Sequence, residues 1–162
     1  MNHSSGWPTY DIETVIEKYS DMLYRLCIIM LKNESDAEDA VQETFIKYLQ
    51  KSPIFQNPEH EKAWLITVAT NQCRDLLRFR TKHPEISDNE WTNIRDTSTD
   101  SGILDALTSL PEKYRLVLTL HYIEGYGTNE IAKIINRTSS AVKMRLQKGR
   151  KLLEKIYREE YL

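Results

Sequence analysis

The sequence predicts an all-α protein made of two small helical domains joined by a flexible linker, with a helix-turn-helix in the carboxyl-terminal domain. Chain breakers are few, with five glycines and five prolines among 162 residues, which favours long helices over a strand-rich fold. Apolar residues recur at three- and four-residue steps, as on one face of a helix, in several segments on either side of residues 81–101, which lack the pattern. We therefore predict domains at residues 1–80 and 102–162 and a linker at 81–101.

Three helices are predicted in the first domain, at about 10–31, 35–51 and 59–80. Ser35 followed by Glu38 has the spacing of a capping box, so the second helix is expected to begin at Ser35. Pro53 and Pro58 bracket a loop before the third helix. The first domain is therefore expected to be a three-helix bundle.

Four helices are predicted in the second domain, at about 103–110, 111–125, 128–135 and 139–159. Pro111 suits the first position of a helix, and Thr128 and then Thr138 or Ser139 can cap two others. Asn136 is expected in the left-handed conformation that ends a helix. A helix of about two turns, a tight break and a longer second helix have the sizes of a helix-turn-helix.

The net charge of −2 hides an asymmetry along the chain. Residues 1–80 and 81–100 each carry −3, whereas residues 101–162 carry +4. Between Ile131 and Leu153 there are seven basic residues and no acidic one. A solvated surface helix normally mixes charges of both signs, so this stretch suggests a polyanionic partner.

One outer face of the last predicted helix gathers Ser140, Lys143, Met144, Gln147, Lys148 and Lys151. Its lysines, with Arg145 and Arg150 beside them, can hold phosphates, and its polar side chains can reach base edges in a major groove. The alternative is a basic face that only keeps the protein soluble. Because helix-turn-helix shape and positive charge coincide here, we expect DNA contact.

The second predicted helix has an acidic side opposite its apolar one. That side carries Asp36, Asp39, Gln42, Glu43 and Ile46. Acidic residues in a first turn also suit the helix dipole, so a capped, solvated helix is one interpretation. An apolar Ile46 inside the acidic patch favours the other interpretation, a protein-binding surface.

The third predicted helix has a polar side with an aromatic residue on it. The side comprises Trp64, Thr67, Thr70, Asn71, Arg74 and Arg78. An indole beside arginines can stack on an unpaired base while the cations hold the backbone. Trp64 can equally pack against the first helix, and periodicity alone leaves both alternatives open.

Several classes of protein are not supported by the sequence. No run of eighteen apolar residues and no amino-terminal signal segment is present, so a cytoplasmic protein is expected. Cys27 and Cys73 lie far apart among apolar neighbours, so two buried thiols are expected rather than a metal site. The chain lacks the Glu-x-x-His pairs of di-metal bundles and any glycine-rich phosphate loop. We therefore expect neither an enzyme nor a cofactor.

Several motifs together resemble one known family. These are the runs at residues 36–45 (Asp-Ala-Glu-Asp-Ala-Val-Gln-Glu-Thr-Phe), 63–71 (Ala-Trp-Leu-Ile-Thr-Val-Ala-Thr-Asn), 110–115 (Leu-Pro-Glu-Lys-Tyr-Arg) and 130–132 (Glu-Ile-Ala). In this order and spacing they resemble the extracytoplasmic-function branch of the sigma-70 family. The resemblance covers about residues 10–158, nearly the whole chain.

The resemblance implies a role for each surface in promoter recognition. The core RNA polymerase would be bound by Asp36, Asp39, Gln42, Glu43 and Ile46. The minus-ten element would be melted and read by Phe55, Asn57, Trp64, Thr67, Asn71, Arg74 and Arg78. The minus-thirty-five duplex would be read by Ser139, Ser140, Lys143, Met144, Arg145, Gln147, Lys148 and Lys151. An anti-sigma factor is a further implied partner.

Some positions depart from the family pattern. Met144 and Gly149 stand where a small polar residue and alanine are usual, and Asn136 stands where the turn often has glycine. These departures bear on the promoter sequence rather than on the role. The alternative function is a stand-alone helix-turn-helix regulator whose first domain senses a ligand or dimerises.

Overall fold

The computed structural model describes residues 11–86 and 101–162. Seven α-helices account for most of these residues: α1 (Ile12–Leu31), α2 (Glu34–Lys51), α3 (Pro58–Lys82), α4 (Ser101–Ser109), α5 (Glu112–Leu118), α6 (Thr128–Ile135) and α7 (Ser139–Tyr161). Within the two described ranges there is no strand, and the predicted all-α fold class is confirmed. The helices form two compact units, α1–α3 and α4–α7. Residues 87–100, most of the predicted linker, lie outside the described residues.

The turn between α1 and α2 differs from the sequence prediction. Lys32 ends α1 in the left-handed conformation with φ 55°, and Asn33 then caps α2, its Oδ1 accepting the Asp36 N–H at 2.9 Å. The predicted capping box is therefore wrong, because the asparagine caps the helix two residues earlier. Ser35 and Glu38 lie exposed within α2.

The α2–α3 loop, residues 52–57, is fixed at both ends. Ser52 ends α2 with φ 42°. At the other end the Asn57 Oδ1 accepts the His60 N–H at 2.9 Å. Pro58 follows as the first residue of α3, where its missing N–H forfeits no helical hydrogen bond. The loop is therefore short and held by caps at each side.

Packing of α1 against α2 and α3 holds the first unit together. Its large, fully buried side chains include Leu23, Leu26, Met30, Leu65 and Ile66. Each such burial stabilises the fold by about 1.5–3 kcal/mol. Cys27 and Cys73 are thiols outside any disulfide, both at 0% exposure, which confirms the prediction of two buried thiols.

The second unit is built around α7, which contacts α4, α5 and α6. Its largest buried side chains are Leu110, Leu116, Leu120, Ile131 and Ile135. Arg115 is also buried, at 4% exposure, and donates to the carbonyl oxygens of Leu110 (2.8 Å) and Thr108 (3.3 Å). Its guanidinium thereby satisfies carbonyls at the end of α4 that have no helical partner.

The single helix predicted at 111–125 is interrupted in the structure. After α5 the chain continues as a π-helical segment, Thr119–Ile123, and Gly125 follows with φ 80°. One wider turn shifts the helical period, so Tyr122 and Ile123 are exposed at 58% and 41%. Periodicity in the sequence could not register this single shift.

The helix-turn-helix is formed by α6 and α7 as predicted. Gly127 precedes α6, its N–H donating to the Glu130 Oε1 at 3.1 Å, so the predicted cap at Thr128 is one residue late. Asn136 ends α6 in the left-handed conformation, with φ 55° and ψ 53°. Thr138 then caps α7. No helix in the described ranges is both long and apolar enough to cross a bilayer.

The left-handed turn at Asn136 makes a prediction about stability. Asn136→Ala should lower the free energy of unfolding by about 1 kcal/mol, because alanine tolerates this conformation poorly. Asn136→Gly should match or exceed the wild type. Urea denaturation followed by circular dichroism measures both, with Lys133→Ala, exposed on α6, as the control. Equal stability of the alanine and glycine variants would contradict the prediction.

Candidate nucleic-acid interface

The outward face of α7 is polar and cationic over its first three to four turns. All six residues that periodicity placed on this face are exposed: Ser140, Lys143, Met144, Gln147, Lys148 and Lys151. Val142, Leu146 and Gly149, on the other side of α7, are buried. The helix-turn-helix therefore exposes to solvent the side of α7 that carries three lysine amino groups and the side-chain amide of Gln147.

Gly149 lets α7 lie unusually close to α5. A Cβ added at this position would stand 3.1 Å from the Leu118 Cδ1 and 3.3 Å from the Tyr114 Cβ. Both distances are shorter than ordinary van der Waals contact. Glycine, where the family usually has alanine, therefore permits the close packing of α5 against α7. This packing fixes which side of α7 faces the core.

Two residues near this face are committed to contacts within the second unit. The Ser139 hydroxyl donates to the Asn129 Oδ1 on α6, so it joins the two helices of the motif. Arg150 donates to the Tyr122 hydroxyl at 3.2 Å and so reaches toward the π-helical segment. Arg145 is half-buried beside the outward face. Local sequence pattern could not identify the role of Asn129, because its partner Ser139 is ten residues away.

The acidic side of α2 carries exposed polar residues and, beside them, exposed apolar ones. Asp39 and Gln42 are exposed, Glu43 is half-buried, and Ile46 is 43% exposed. Leu49, which lies outside the predicted acidic side, is 56% exposed one turn after Ile46. This surface combines carboxylates with two exposed apolar side chains.

Asp36 belongs to the fold as well as to this surface. Its carboxylate forms an ion pair with Arg80 at the end of α3. Arg80 also donates to the Leu31 carbonyl oxygen at 3.0 Å, so one guanidinium ties α1, α2 and α3 together. Burial lowers the pKa of Arg80, as expected for a cation partly removed from water.

Three aromatic rings meet where α2, the α2–α3 loop and α3 come together. Tyr48 and Phe55 stack with ring centroids 6.0 Å apart, and Trp64 packs edge-on against both, at 5.9 and 6.0 Å. We call Tyr48, Phe55 and Trp64 the aromatic cluster. The ring-to-ring contacts of Trp64 are thus with α2 and the loop, and its side chain is half-buried.

Phe55 and Asn57, the loop residues predicted from the sequence to contact DNA, both make contacts within the fold. Phe55 is buried at 7% exposure and belongs to the aromatic cluster, and the Asn57 side chain caps α3. The neighbouring Ile54 and Gln56 are exposed, Ile54 at 71%. Periodicity could not identify them, since a loop has no regular period.

The polar side of α3 is narrower than the sequence predicted. Asn71 and Arg78 are exposed, and Arg78 pairs with Asp75 at 3.3 Å. Thr67 and Arg74 are half-buried. Thr70 is fully buried at 0% exposure, which contradicts its placement on the polar side, because the inner face of α3 is wider than one apolar stripe.

Comparison with known proteins identifies the class. The chain matches "Sigma-70 region 2" over residues 15–83 and "Sigma-70, region 4" over residues 101–153. These are the α1–α3 unit and most of the α4–α7 unit. The two helical units are therefore those of a sigma-70 type RNA polymerase sigma factor.

Individual relatives narrow the assignment. The chain is 32% identical to the ECF RNA polymerase sigma factor SigW of Bacillus subtilis, over 90% of the chain and 88% of the relative. It is 31% identical to the sigma factor SigV of the same organism, over 86% and 87%. The chain belongs to the extracytoplasmic-function (ECF) sigma factors.

The fold also matches solved structures. One is the sigma factor RpoE in complex with the anti-sigma factor NepR from Bartonella quintana, with a TM-score of 0.76, 23% identity, and coverage of 94% of this chain and 99% of that one. Another is CnrH in complex with the cytosolic domain of CnrY, with a TM-score of 0.68, 23% identity, and coverage of 92% and 88%. Both support the all-α fold.

The Asp36–Arg80 ion pair predicts that Asp36 and Asp39, two carboxylates of α2, differ in their contribution to the free energy of unfolding. Asp36→Ala should lower the free energy of unfolding by about 1–2 kcal/mol, because a partly buried guanidinium loses its charged partner. Asp39→Ala, at an exposed position of the same helix, should change it by less than about 0.5 kcal/mol. Chemical denaturation measures the difference. Equal losses would show that the ion pair does not stabilise the unit.

Proposed function

We propose that this ECF sigma factor recognises and opens promoters by dividing the work between its two units. Residues 1–80 bind core RNA polymerase and the minus-ten element, residues 102–162 bind the minus-thirty-five element, and residues 81–101 link them. The observation that carries the proposal is the exposed cationic face of α7 on a helix-turn-helix, in a chain of this family. The role is binding and not catalysis, and its place is the cytoplasm, where the polymerase is.

The outward face of α7 is proposed to enter the major groove of duplex DNA. Ser140, Lys143, Gln147 and Lys148 are suited to base edges, while Lys151 and Arg145 are suited to phosphates. Met144 adds an apolar contact of the kind that suits a thymine methyl group. Ser139 acts through its hydrogen bond to Asn129, which holds the first turn of α7 against α6.

The acidic side of α2 is proposed to bind core polymerase. Asp39, Gln42, Glu43 and Ile46 supply charge and apolar contact, and the exposed Leu49 extends the same surface. Mixed patches of this kind are typical of protein interfaces that have an apolar centre and a polar rim. Asp36 contributes through its ion pair with Arg80, which fixes the start of α2.

The minus-ten element is proposed to be captured between the α2–α3 loop and α3. Unstacking a base costs a few kcal/mol, which contacts to the separated strand must offset. On α3 the exposed Asn71 and Arg78 are the main candidates, with Thr67 and Arg74 at the edge. On the loop we propose that the exposed Ile54 and Gln56 face the strand first, with Phe55, Asn57 and the half-buried Trp64 behind them.

Two features of regulation follow from the same surfaces. The acidic first unit repels DNA, so the chain alone should bind promoters weakly until polymerase covers that charge. One fold neighbour, RpoE, was solved in complex with the anti-sigma factor NepR, and another, CnrH, in complex with the cytosolic domain of CnrY. We propose that this chain, too, is held inactive by an anti-sigma factor.

Run-off transcription tests the proposed function. Purified chain and core polymerase are supplied with the DNA upstream of the chain's own gene, and a transcript dependent on both is expected. A mobility-shift assay without polymerase accompanies it. A stand-alone helix-turn-helix regulator would shift duplex DNA tightly by itself and would not require polymerase, so that result would overturn the proposal.

The α7 face makes a prediction for individual lysines. Lys143→Ala or Lys148→Ala should weaken promoter-specific initiation by an amount equivalent to about 1–3 kcal/mol, because each removes a contact to DNA. Binding to core polymerase should not change. Lys113→Ala, which removes an exposed lysine from α5, is the matched control. Unchanged transcription with both α7 variants would show that the recognition face is assigned wrongly.

The acidic side of α2 makes the complementary prediction. Asp39→Lys and Glu43→Lys should each lose core polymerase in a pull-down, because a reversed charge repels the basic partner surface that a carboxylate attracts. Circular dichroism should show that both variants remain folded. Glu159→Lys, an exposed charge reversal near the end of α7, should retain the polymerase. If the α2 variants retained the polymerase, the acidic side of α2 would not be the docking surface.

A further inference from the structure

Glu61 is an unusual residue in the first unit. It is an acidic side chain at 1% exposure, and its Oε2 accepts a hydrogen bond from the Tyr48 hydroxyl, with 2.9 Å between the two oxygens. Among the described residues no hydrogen-bond donor reaches its Oε1. A buried carboxyl oxygen without a donor destabilises a fold. An acidic residue in the first turn favours a helix, but the exposed Glu59 supplies that benefit without burial.

The hydrogen bond from Tyr48 connects Glu61 to the aromatic cluster. The Tyr48 ring stacks on Phe55 of the α2–α3 loop and meets Trp64 edge-on. Holding the Tyr48 hydroxyl therefore fixes the ring against which Phe55 rests. Phe55 in turn anchors the middle of the loop, between the exposed Ile54 and Gln56.

The Tyr48 hydroxyl remains a hydrogen-bond donor over the ordinary pH range. Burial raises the pKa of Tyr48, and the hydrogen bond to Glu61 and its charge raise it further. The phenol therefore remains protonated and continues to donate. The donor that links α2 to α3 is therefore present throughout this range.

We propose that Glu61 is a positioning residue for promoter opening. Acting through Tyr48 and Phe55, it holds the α2–α3 loop in the shape that presents Ile54 and Gln56 to an unpaired base of the minus-ten element. This inference rests on the proposed function. It also gives a role to a buried carboxylate whose Oε1 has no donor among the described residues.

The test removes the polar pair without opening a large cavity. In the double variant Tyr48→Phe/Glu61→Leu both partners become apolar, a replacement that is often close to neutral for folding. Its transcription is compared on the promoter found by run-off assay and on that promoter with single minus-ten bases substituted. We expect the ratio between the two templates to fall by about threefold to tenfold, the range that one net hydrogen bond supplies.

Three further variants separate positioning from general damage. Glu61→Gln keeps an acceptor for Tyr48, so its ratio should stay within about twofold of the wild type. Thr70→Val removes another buried hydroxyl of α3 and should leave the ratio unchanged. In an Ile54→Ala/Gln56→Ala background, Tyr48→Phe should have no additional effect on the ratio, because the loop side chains through which it acts are gone.

The outcomes are distinguishable. A double variant with wild-type thermal stability and a wild-type template ratio overturns the positioning role, as does a fall in total transcription with no change in the ratio. If the double variant does not fold, Tyr48→Phe alone, which keeps the ring, decides the question by the same ratio. Failure of the wild type to initiate with core polymerase would instead overturn the proposed function.

Discussion

The burial of one side of α7 constrains everything that the second unit can offer to a partner. Val142, Leu146 and Gly149 lie inside, and at Gly149 the backbone comes so near Leu118 that an added Cβ would stand 3.1 Å from it. Turning α7 by one residue would rotate its side chains by about 100° and would bury lysines without partners, at high free-energy cost. The cationic face is therefore a consequence of core packing.

In the first unit, contacts within the fold decide which polar and aromatic groups remain available to a ligand. Arg80 and Asp36 pair with each other, Phe55 and Trp64 pack against Tyr48, and the Asn57 side chain caps α3. Of the surfaces considered for binding, exposed residues remain on the acidic side of α2, at the loop tip and along a narrow polar edge of α3. The binding surfaces are defined as much by these internal contacts as by residue type.

Much of this arrangement could be predicted because the spacing of apolar residues in an amphipathic helix indicates which of its faces is buried. The all-α class, the left-handed Asn136, the two buried thiols and the exposed side of α7 all follow from period and turn chemistry. Helix starts were less predictable, since Asn33 and Ser35 can both cap and only the turn geometry selects one. The loop and the π-helical segment have no usable period, so the burial of Phe55 and the exposure of Ile54 required the structure. The partners assigned to individual side chains stay predictions.

The two cysteines have a practical consequence. They are the only thiols in the chain, and both are completely covered within the first unit. Reaction of a thiol reagent with either one requires the first unit to open, so alkylation of the native chain reports local unfolding of that unit and nothing of the second. The same shielding lets a cysteine introduced on α7 carry a fluorophore selectively, without removal of the natural pair.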